Sequence, residues 1–182
     1  MNSNKALAYK HFKMFNFSDT RQRLSGIGIQ YVLKRCIHCY RLTNNAKNIF
    51  SCNNISNMKL AIVKKTVFFI NTHEHWIIMA VFPKRICLII DPLNIVKSWP
   101  DVINAISSFC KNNNLRLFFF DFKFQRDNTQ ICGYLCLWAT MKISQLSFSK
   151  VLEIRKILQS NKISVIERGM MYKVHKHFHL ET

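Results

Sequence analysis

Two apolar runs of strand length, residues 76–82 and 85–91, are separated only by Pro83 and Lys84. Such runs, broken by a proline and a polar residue, are typical of a β-hairpin. A hairpin folded at this point places the start of its first strand opposite the end of its second strand. We therefore predict that His75 faces Asp91 or Pro92 across the ladder, with its ring in reach of the Asp91 carboxylate.

A thiol and an amide follow further along the chain. Cys132-Gly133 comes after a polar loop and before the apolar stretch 133–145, which predicts a buried central helix. The N–H groups at a helix N-terminus stabilise a thiolate, and Gly133 is expected to let a substrate carbonyl approach the backbone. Gln125 is expected to present its side-chain amide to an oxyanion beside the Cys132 N–H.

Together these residues have the composition of a cysteine hydrolase site. Cys132 is the candidate nucleophile, His75 the general base, Asp91 the acid that orients it, and Gln125 the oxyanion donor. Trp76 is expected to lie beside the dyad. Taken singly, each residue has an ordinary structural interpretation: a buried small thiol, a turn cap, or an amide that satisfies backbone.

The remaining pattern predicts an α+β domain. Ser98 and Pro100 indicate a helix start, and the three asparagines 112–114 indicate its end. The nearly continuous apolar run 115–124 predicts a strand buried on both faces. Further predicted elements are a strand at 59–72, helices at 4–15 and 149–160, and a short element at 27–35.

Composition limits the class of protein. A chain of 182 residues with 49% hydrophobic residues is expected to form a single domain, 1–182, and nothing argues against a monomer. No apolar run approaches 18 residues, and the polar N-terminus lacks a signal core, so neither a membrane span nor secretion is expected. Its seven cysteines are then expected to be mostly reduced.

The net charge of +18, from 27 Lys and Arg against 9 Asp and Glu, favours a polyanionic partner such as nucleic acid. In the first 73 residues the only acid is Asp19. The alternative explanation is a lysine-rich composition inherited from an AT-rich genome.

Two other clusters of potential metal ligands are weaker. Cys36 and Cys39 form a C-x2-C turn with Cys52 as a possible third ligand, but a second close pair is missing, so no metal site is predicted. His73 shares a strand face with His75 and is the fallback base if the hairpin register slips. The histidines of the tail, 175–179, are expected to form a solvated basic end.

The arrangement resembles adenain, the adenovirus-type cysteine endopeptidase, whose clan includes the Ulp-type SUMO proteases. The matching features are His75-Trp76 at the start of an apolar strand, Asp91-Pro92 at the end of the next, and Gln125-x6-Cys132-Gly133. The resemblance covers residues 59–147. The Gln-to-Cys spacing matches adenain, whereas an Asp at the acid position is usual in the SUMO proteases.

The resemblance implies a papain-like-clan fold, a central mixed sheet flanked by helices with the nucleophile at the start of a buried helix. It implies limited proteolysis of viral precursor proteins, often after Gly-Gly or Gly-x sites, stimulated by DNA, in the virion and the infected cell. Adenain is also activated by a peptide disulfide-bonded near the oxyanion glutamine. Residues 113–115 contain no cysteine, and Cys110 falls in the preceding helix, which argues against such activation here. No cofactor is expected for the chemistry.

Two rival functions remain open at this point. One is a deSUMOylase or deubiquitinase of the same clan, which Asp91 favours. The other is a DNA-binding virion protein on a degenerate protease scaffold, in which Cys132 is unreactive.

Overall fold

The computed structural model describes residues 24, 26, 29, 49–51, 55–60, 65–72, 74–145 and 149–150. In this part of the chain a five-stranded sheet carries a helix on each face. In chain order the elements are β1 (Ile49–Ser51), β2 (Thr66–Thr72), β3 (His75–Phe82), β4 (Ile86–Ile90), a 3-10 turn (Val96–Ser98), α1 (Pro100–Asn112), β5 (Arg116–Phe119) and α2 (Cys132–Gln145).

The sheet is mixed, and its spatial order follows the chain from β1 to β5. Strands β2, β3 and β4 are antiparallel neighbours, whereas β1 and β5 run parallel to β2 and β4, respectively. The predicted α+β class and mixed sheet are confirmed.

Strand β3 lies at the centre of the sheet, and all of its residues are buried. Because side chains alternate along a strand, Ile78 and Ala80 pack with α2 on one face, while Ile77 and Met79 pack with α1 on the other. Burial on both faces explains why the strand is apolar without interruption.

The hairpin turn between β3 and β4 is longer than the two residues we predicted. Phe82 pairs with Ile86, so Pro83, Lys84 and Arg85 form a three-residue loop in which Arg85 has φ 57. Three-residue hairpin loops commonly place their last residue in this left-handed conformation. Strand β4 consequently begins and ends one residue inside the predicted limits.

The interpretation of residues 115–124 as a strand buried on both faces is wrong. Only Arg116–Phe119 form β5, which pairs with β4 and is partly exposed, with Phe118 39% exposed. Phe120 still donates its N–H to the Ile89 carbonyl of β4, but residues 121–124 leave the ladder, and the Phe124 ring packs near Trp138 of α2 instead. The apolar run therefore reflects aromatic packing under α2 and not a central strand.

Both described helices begin close to their predicted starts. Helix α1 has Pro100 in its first turn, but Trp99 and not Ser98 is its N-cap residue. Asn113 ends it, and the Asn113 side chain is bonded to the backbone of Met58 and Leu60. Strand β2 begins at Thr66, whereas the predicted strand, 59–72, begins at residue 59.

Several predictions concern residues outside the described ranges. They are the helix at 4–15, the element at 27–35 beyond residue 29, and the helix at 149–160 beyond residue 150. The single domain over 1–182 likewise stays a prediction. Within the described residues, no helix has the length and apolar character needed to cross a membrane.

Candidate active site

The start of β3 and the end of β4 bring an imidazole and a carboxylate into contact. His75 Nε2 lies 2.6 Å from Asp91 Oδ1, and the two residues are only 5% and 2% exposed. His75 is the first residue of β3, and Asp91 directly follows β4. The contact predicted from the hairpin is thus present, although the chain leaves the β-ladder after Ile90.

Asp91 accepts hydrogen bonds at both carboxylate oxygens. Oδ1 accepts from the Leu93 N–H in addition to the His75 ring, while Oδ2 accepts from the N–H groups of Ile95 and Val96 at 2.6 and 2.7 Å. Donors on every side stabilise the ionised carboxylate. The same bonds fix the backbone of the loop that leads into the 3-10 turn.

The charge states follow from this geometry. Burial opposes a charged ring and would lower the pKa of His75, but hydrogen bonds to Asp91 and Cys132, together with their negative charges, raise it to about 9. Burial likewise opposes a charged Asp91, yet the bond from His75 and those from backbone N–H groups keep the pKa of this carboxyl below its usual value. The pair is therefore an ion pair at neutral pH.

Cys132 completes the cluster from the other face of the sheet. It is the first residue of α2, where backbone N–H groups have no partner within the helix. The Trp76 N–H donates to its sulfur with an N–S distance of 3.5 Å, and Cys132 is close enough to the His75 ring to contribute to its raised pKa. Because Nε2 of His75 is engaged by Asp91, Nδ1 is the ring nitrogen that can exchange a proton with the thiol.

Gln125 is buried, 2% exposed, and its side-chain orientation is set by the loop that precedes α2. Nε2 donates one hydrogen bond to the Thr129 carbonyl at 2.7 Å. An amide nitrogen carries two protons, so one N–H remains for an acceptor in the site. No residue in the described ranges donates to the buried Gln125 Oε1.

Trp76 lies beside Cys132, because its backbone N–H donates to the sulfur, while its indole donates from Nε1 to the Leu24 carbonyl at 2.9 Å. The expectation about Gly133 is not met. A Cβ on Gly133 would lie 2.9 Å from Leu24 Cβ and 3.3 Å from Trp76 Cδ1. Gly133 is therefore required for packing against these two residues, and its position is not open to a substrate carbonyl.

The aromatic residue beside His75 is Trp99, which the sequence interpretation missed. Its ring centroid lies 5.9 Å from that of His75, with the planes at 70°. The only local signal was an aromatic residue directly before Pro100 at a helix start. Its contact with His75 depends on the path of the 3-10 turn, and no pattern in the sequence predicts that path.

The other described thiols are buried, as expected for small core residues. Cys136 lies one turn after Cys132 and donates to the Trp76 carbonyl at 3.2 Å, and burial raises the pKa of its thiol well above the ordinary value. Cys87 in β4 lies near Cys110 in α1, and this neighbour together with burial raises the pKa of the Cys87 thiol well above its ordinary value.

The described residues contain no group of three His, Cys, Asp or Glu side chains placed to hold a metal ion. Cys36, Cys39, Cys52, His73 and the histidines of the tail lie outside the described ranges.

The candidate side chains are largely shielded from solvent. Cys132 is 3% exposed, His75 is 5% exposed and Gln125 is 2% exposed. Polar contacts are stronger in such surroundings than in water.

Comparison with known proteins identifies the fold. No protein-family model matches the chain, and no curated protein matches it by sequence. A solved structure described as the crystal structure of the de-sumoylating protease superposes with a TM-score of 0.59 at 12% sequence identity, covering 96% of this chain and 85% of that chain. At this level of identity the likeness shows that the two chains share a fold.

Proposed function

We propose that this chain is a papain-like-clan cysteine endopeptidase. The observation that carries the proposal is the His75 ring, bonded at Nε2 to Asp91, with the Cys132 thiol bonded to the backbone N–H of the adjacent Trp76. A nucleophile, a base and an orienting acid brought together in this way are the signature of nucleophilic catalysis. The shared fold with a de-sumoylating protease gives independent support.

The proposed reaction begins with an ion pair in which the Cys132 proton resides on His75 Nδ1. The thiolate attacks the scissile carbonyl carbon, and the negative charge that forms on its oxygen is stabilised by the second Gln125 N–H and the Cys132 backbone N–H. His75 then donates its proton to the leaving amine as the C–N bond breaks. The thioester is hydrolysed by a water that His75 deprotonates, and the thiol is regenerated.

The proposed substrates are viral precursor proteins, cleaved in the virion or the infected cell. This finer proposal rests on the resemblance of His75-Trp76, Asp91-Pro92 and Gln125-x6-Cys132 to adenain. No cofactor takes part in the chemistry proposed here, and the acting unit is proposed to be a monomer without a membrane partner.

DNA is proposed as the activating partner because of the net charge of +18 and one exposed group of cations. We define the hairpin-end cluster as Lys84, Arg85, Lys111 and Arg116, which are all exposed. The Arg116 N–H donates to the Arg85 carbonyl at 2.8 Å, so the two segments adjoin. Since β3 runs from His75 to the hairpin turn, the cluster lies at the far end of the sheet, about 25 Å away. A phosphate backbone bound there leaves the site accessible.

A second candidate is a deSUMOylase of the same clan. It is favoured by the likeness to the de-sumoylating protease and by Asp91 at the acid position. Electrophilic probes built on the C-termini of SUMO and ubiquitin separate the candidates. Strong labelling of Cys132 by the SUMO probe supports the deSUMOylase, whereas the endopeptidase is expected to cleave unfolded polypeptides and to react weakly with both probes.

The decisive experiment compares two cysteines on one helix. Wild type, Cys132→Ala and Cys136→Ala are incubated with an unfolded polypeptide library, and new N-termini are counted by mass spectrometry. Cleavage is expected from wild type and Cys136→Ala and not from Cys132→Ala. Equal cleavage by Cys132→Ala contradicts the proposal. A wild-type thiol that resists alkylation and cleaves nothing indicates the degenerate, DNA-binding scaffold instead.

A further inference from the structure

Trp99 lies against the His75 ring because of where the 3-10 turn ends. The Trp99 N–H donates to the Val96 carbonyl at 3.0 Å, and the Trp99 carbonyl accepts from the Ile103 N–H at 3.0 Å. Trp99 thus connects the 3-10 turn to α1, and its backbone is hydrogen-bonded to both elements. Its partly buried indole lies 5.9 Å from the His75 ring, centroid to centroid.

One short segment therefore holds His75 at two places. Asp91 binds the ring at Nε2, and its second oxygen anchors Ile95 and Val96, the residues that open the 3-10 turn. Trp99 follows directly after that turn and contacts the same ring. The carboxylate and the indole are positioned by a common set of backbone hydrogen bonds, so they cannot shift independently.

The contact has a physical consequence for the His75–Asp91 bond. Its 2.6 Å length is that of a strong charge-assisted hydrogen bond, whose strength depends on the exclusion of water. An edge-to-face ring pair also restricts the tilt of both rings. Tilt of the imidazole moves Nδ1 away from the sulfur while Nε2 stays tethered, so the ring must be held on its faces as well as at Nε2.

We propose that Trp99 is a positioning residue that excludes water from the His75–Asp91 hydrogen bond and fixes the plane of the imidazole toward Cys132. The inference rests on the proposed function for its catalytic meaning. Trp99 acts through His75 and takes no part in the bond-making steps itself.

The test follows the imidazole Nε2 proton by NMR, because a proton in a short, shielded hydrogen bond exchanges slowly with water. The variants are Trp99→Leu, which removes the ring, and Trp99→Phe, which keeps an aromatic contact. Ile103→Ala is the matched control, since it removes apolar packing from the same turn of α1 without touching His75. Trp99→Met replaces the leucine variant if the latter does not fold.

Exchange of the proton is expected to accelerate about three- to tenfold in Trp99→Leu, the factor that corresponds to the free energy of an edge-to-face contact. In Trp99→Phe and Ile103→Ala the exchange rate is expected to change little. With a cleavable peptide, kcat is expected to fall by a similar factor with KM unchanged. Unaltered exchange in folded Trp99→Leu overturns the inference, and so does equal acceleration in Ile103→Ala. A protected proton in a wild type that cleaves no peptide refutes the proposed function and leaves the shielding by Trp99 measurable.

Discussion

The Pro92 carbonyl oxygen accepts a hydrogen bond from the Gln125 N–H at 2.9 Å, and a second one of the same length from the Phe124 N–H. The preceding residue, Asp91, holds the His75 ring. Two consecutive residues thus determine where the proposed base and the proposed oxyanion donor lie. The acid–proline pair links two parts of the site that are 50 residues apart in the chain, His75 and Gln125.

We expect Asp91→Asn to lower kcat by up to about 10⁴-fold, the loss seen when an orienting carboxylate becomes an amide. An asparagine cannot satisfy all of the Asp91 donors. With its oxygen toward His75, its NH2 group opposes the N–H groups of Ile95 and Val96; in the flipped orientation, the NH2 group opposes His75 Nε2. The measurement is steady-state kinetics with thermal unfolding.

Asp121→Asn is the control for charge removal. Asp121 is 66% exposed at its side chain and lies 3.3 Å from Lys97, so its loss is expected to change stability by less than about 1 kcal/mol and to spare activity. Equal losses in both variants argue against a special role for Asp91.

Stability and activity are expected to depend on pH through His75. Folding raises the pKa of His75 from 6.5 to about 9, because the bonds to Asp91 and Cys132 outweigh the effect of burial. The resulting stabilisation, of order 3 kcal/mol, is complete below pH 6.5 and is lost as pH rises through 9. Peptidase activity should decline over the same pH range, because His75 is then deprotonated and cannot protonate the leaving amine.

Asp91 has the opposite dependence. The pKa of Asp91 is lowered from 3.8, so its stabilising contribution is present above that value and is lost as pH falls through the folded-state pKa. Chemical denaturation from pH 3 to pH 10 checks both limbs. A His75→Gln protein that keeps the alkaline limb would show that another group titrates there.

Gln125→Ala is expected to lower kcat about 10²- to 10³-fold with little change in KM, as for the loss of one oxyanion donor. The Nε2 bond to the Thr129 carbonyl is lost as well, so Tm is measured in parallel. Alkylation of Cys132 by iodoacetamide should continue at a similar rate, since that reaction creates no oxyanion. A parallel fall in alkylation would mean that Gln125 acts on the loop and not on the reaction.

Lys65→Met is expected to destabilise the fold by about 1–2 kcal/mol without a change in kcat. Lys65 Nζ donates to the Ile143 carbonyl at 2.7 Å, near the C-terminal end of α2, where a cation is favourable. The matched control is Lys59→Met at an exposed lysine, which should be neutral. Urea unfolding of the two variants decides between a helix-capping role and a general effect of charge.

Neutralising the hairpin-end cluster tests the DNA partner. The triple change Lys84→Gln, Arg85→Gln and Arg116→Gln is expected to reduce the slope of log K against log salt by about 2–3, because each of the three cations would otherwise neutralise one phosphate. Fluorescence anisotropy with labelled duplex DNA measures the slope. A control triple with the same change in charge replaces the exposed lysines 59, 123 and 150; equal slopes for both triples indicate that net charge alone is responsible.

Patterns local in sequence predicted the parts of this structure that depend on local geometry. The contact of His75 with Asp91 was predictable because the position of a hairpin turn determines which residues of the two strands lie opposite each other. The predicted turn was one residue too short, but the two side chains are still close enough to touch. The start of α2 at Cys132 was marked by the change from polar loop to apolar run. The roles assigned to these residues stay predictions until the variants are measured.

Features that depend on distant segments were not predictable in this way. The path of residues 121–124 depends on the Pro92 carbonyl, which binds the Phe124 N–H, and on the Trp138 ring, and the apolar run itself carries no sign of either contact. Trp99 reaches His75 only through a turn anchored by Asp91. Gly133 appeared to be a site for a ligand because the residue that fills the space beside it, Leu24, is more than 100 positions away.

That packing of Leu24 bears on how far the chain can be trimmed. Leu24 packs against Gly133, and its carbonyl accepts a hydrogen bond from the Trp76 indole N–H. A residue far upstream in the chain therefore packs against the helix that carries the thiol. A fragment restricted to residues 59–147 would retain every reacting group, but it would leave a cavity the size of a leucine side chain next to Gly133. We therefore expect this fragment to be less stable than a chain that retains residue 24.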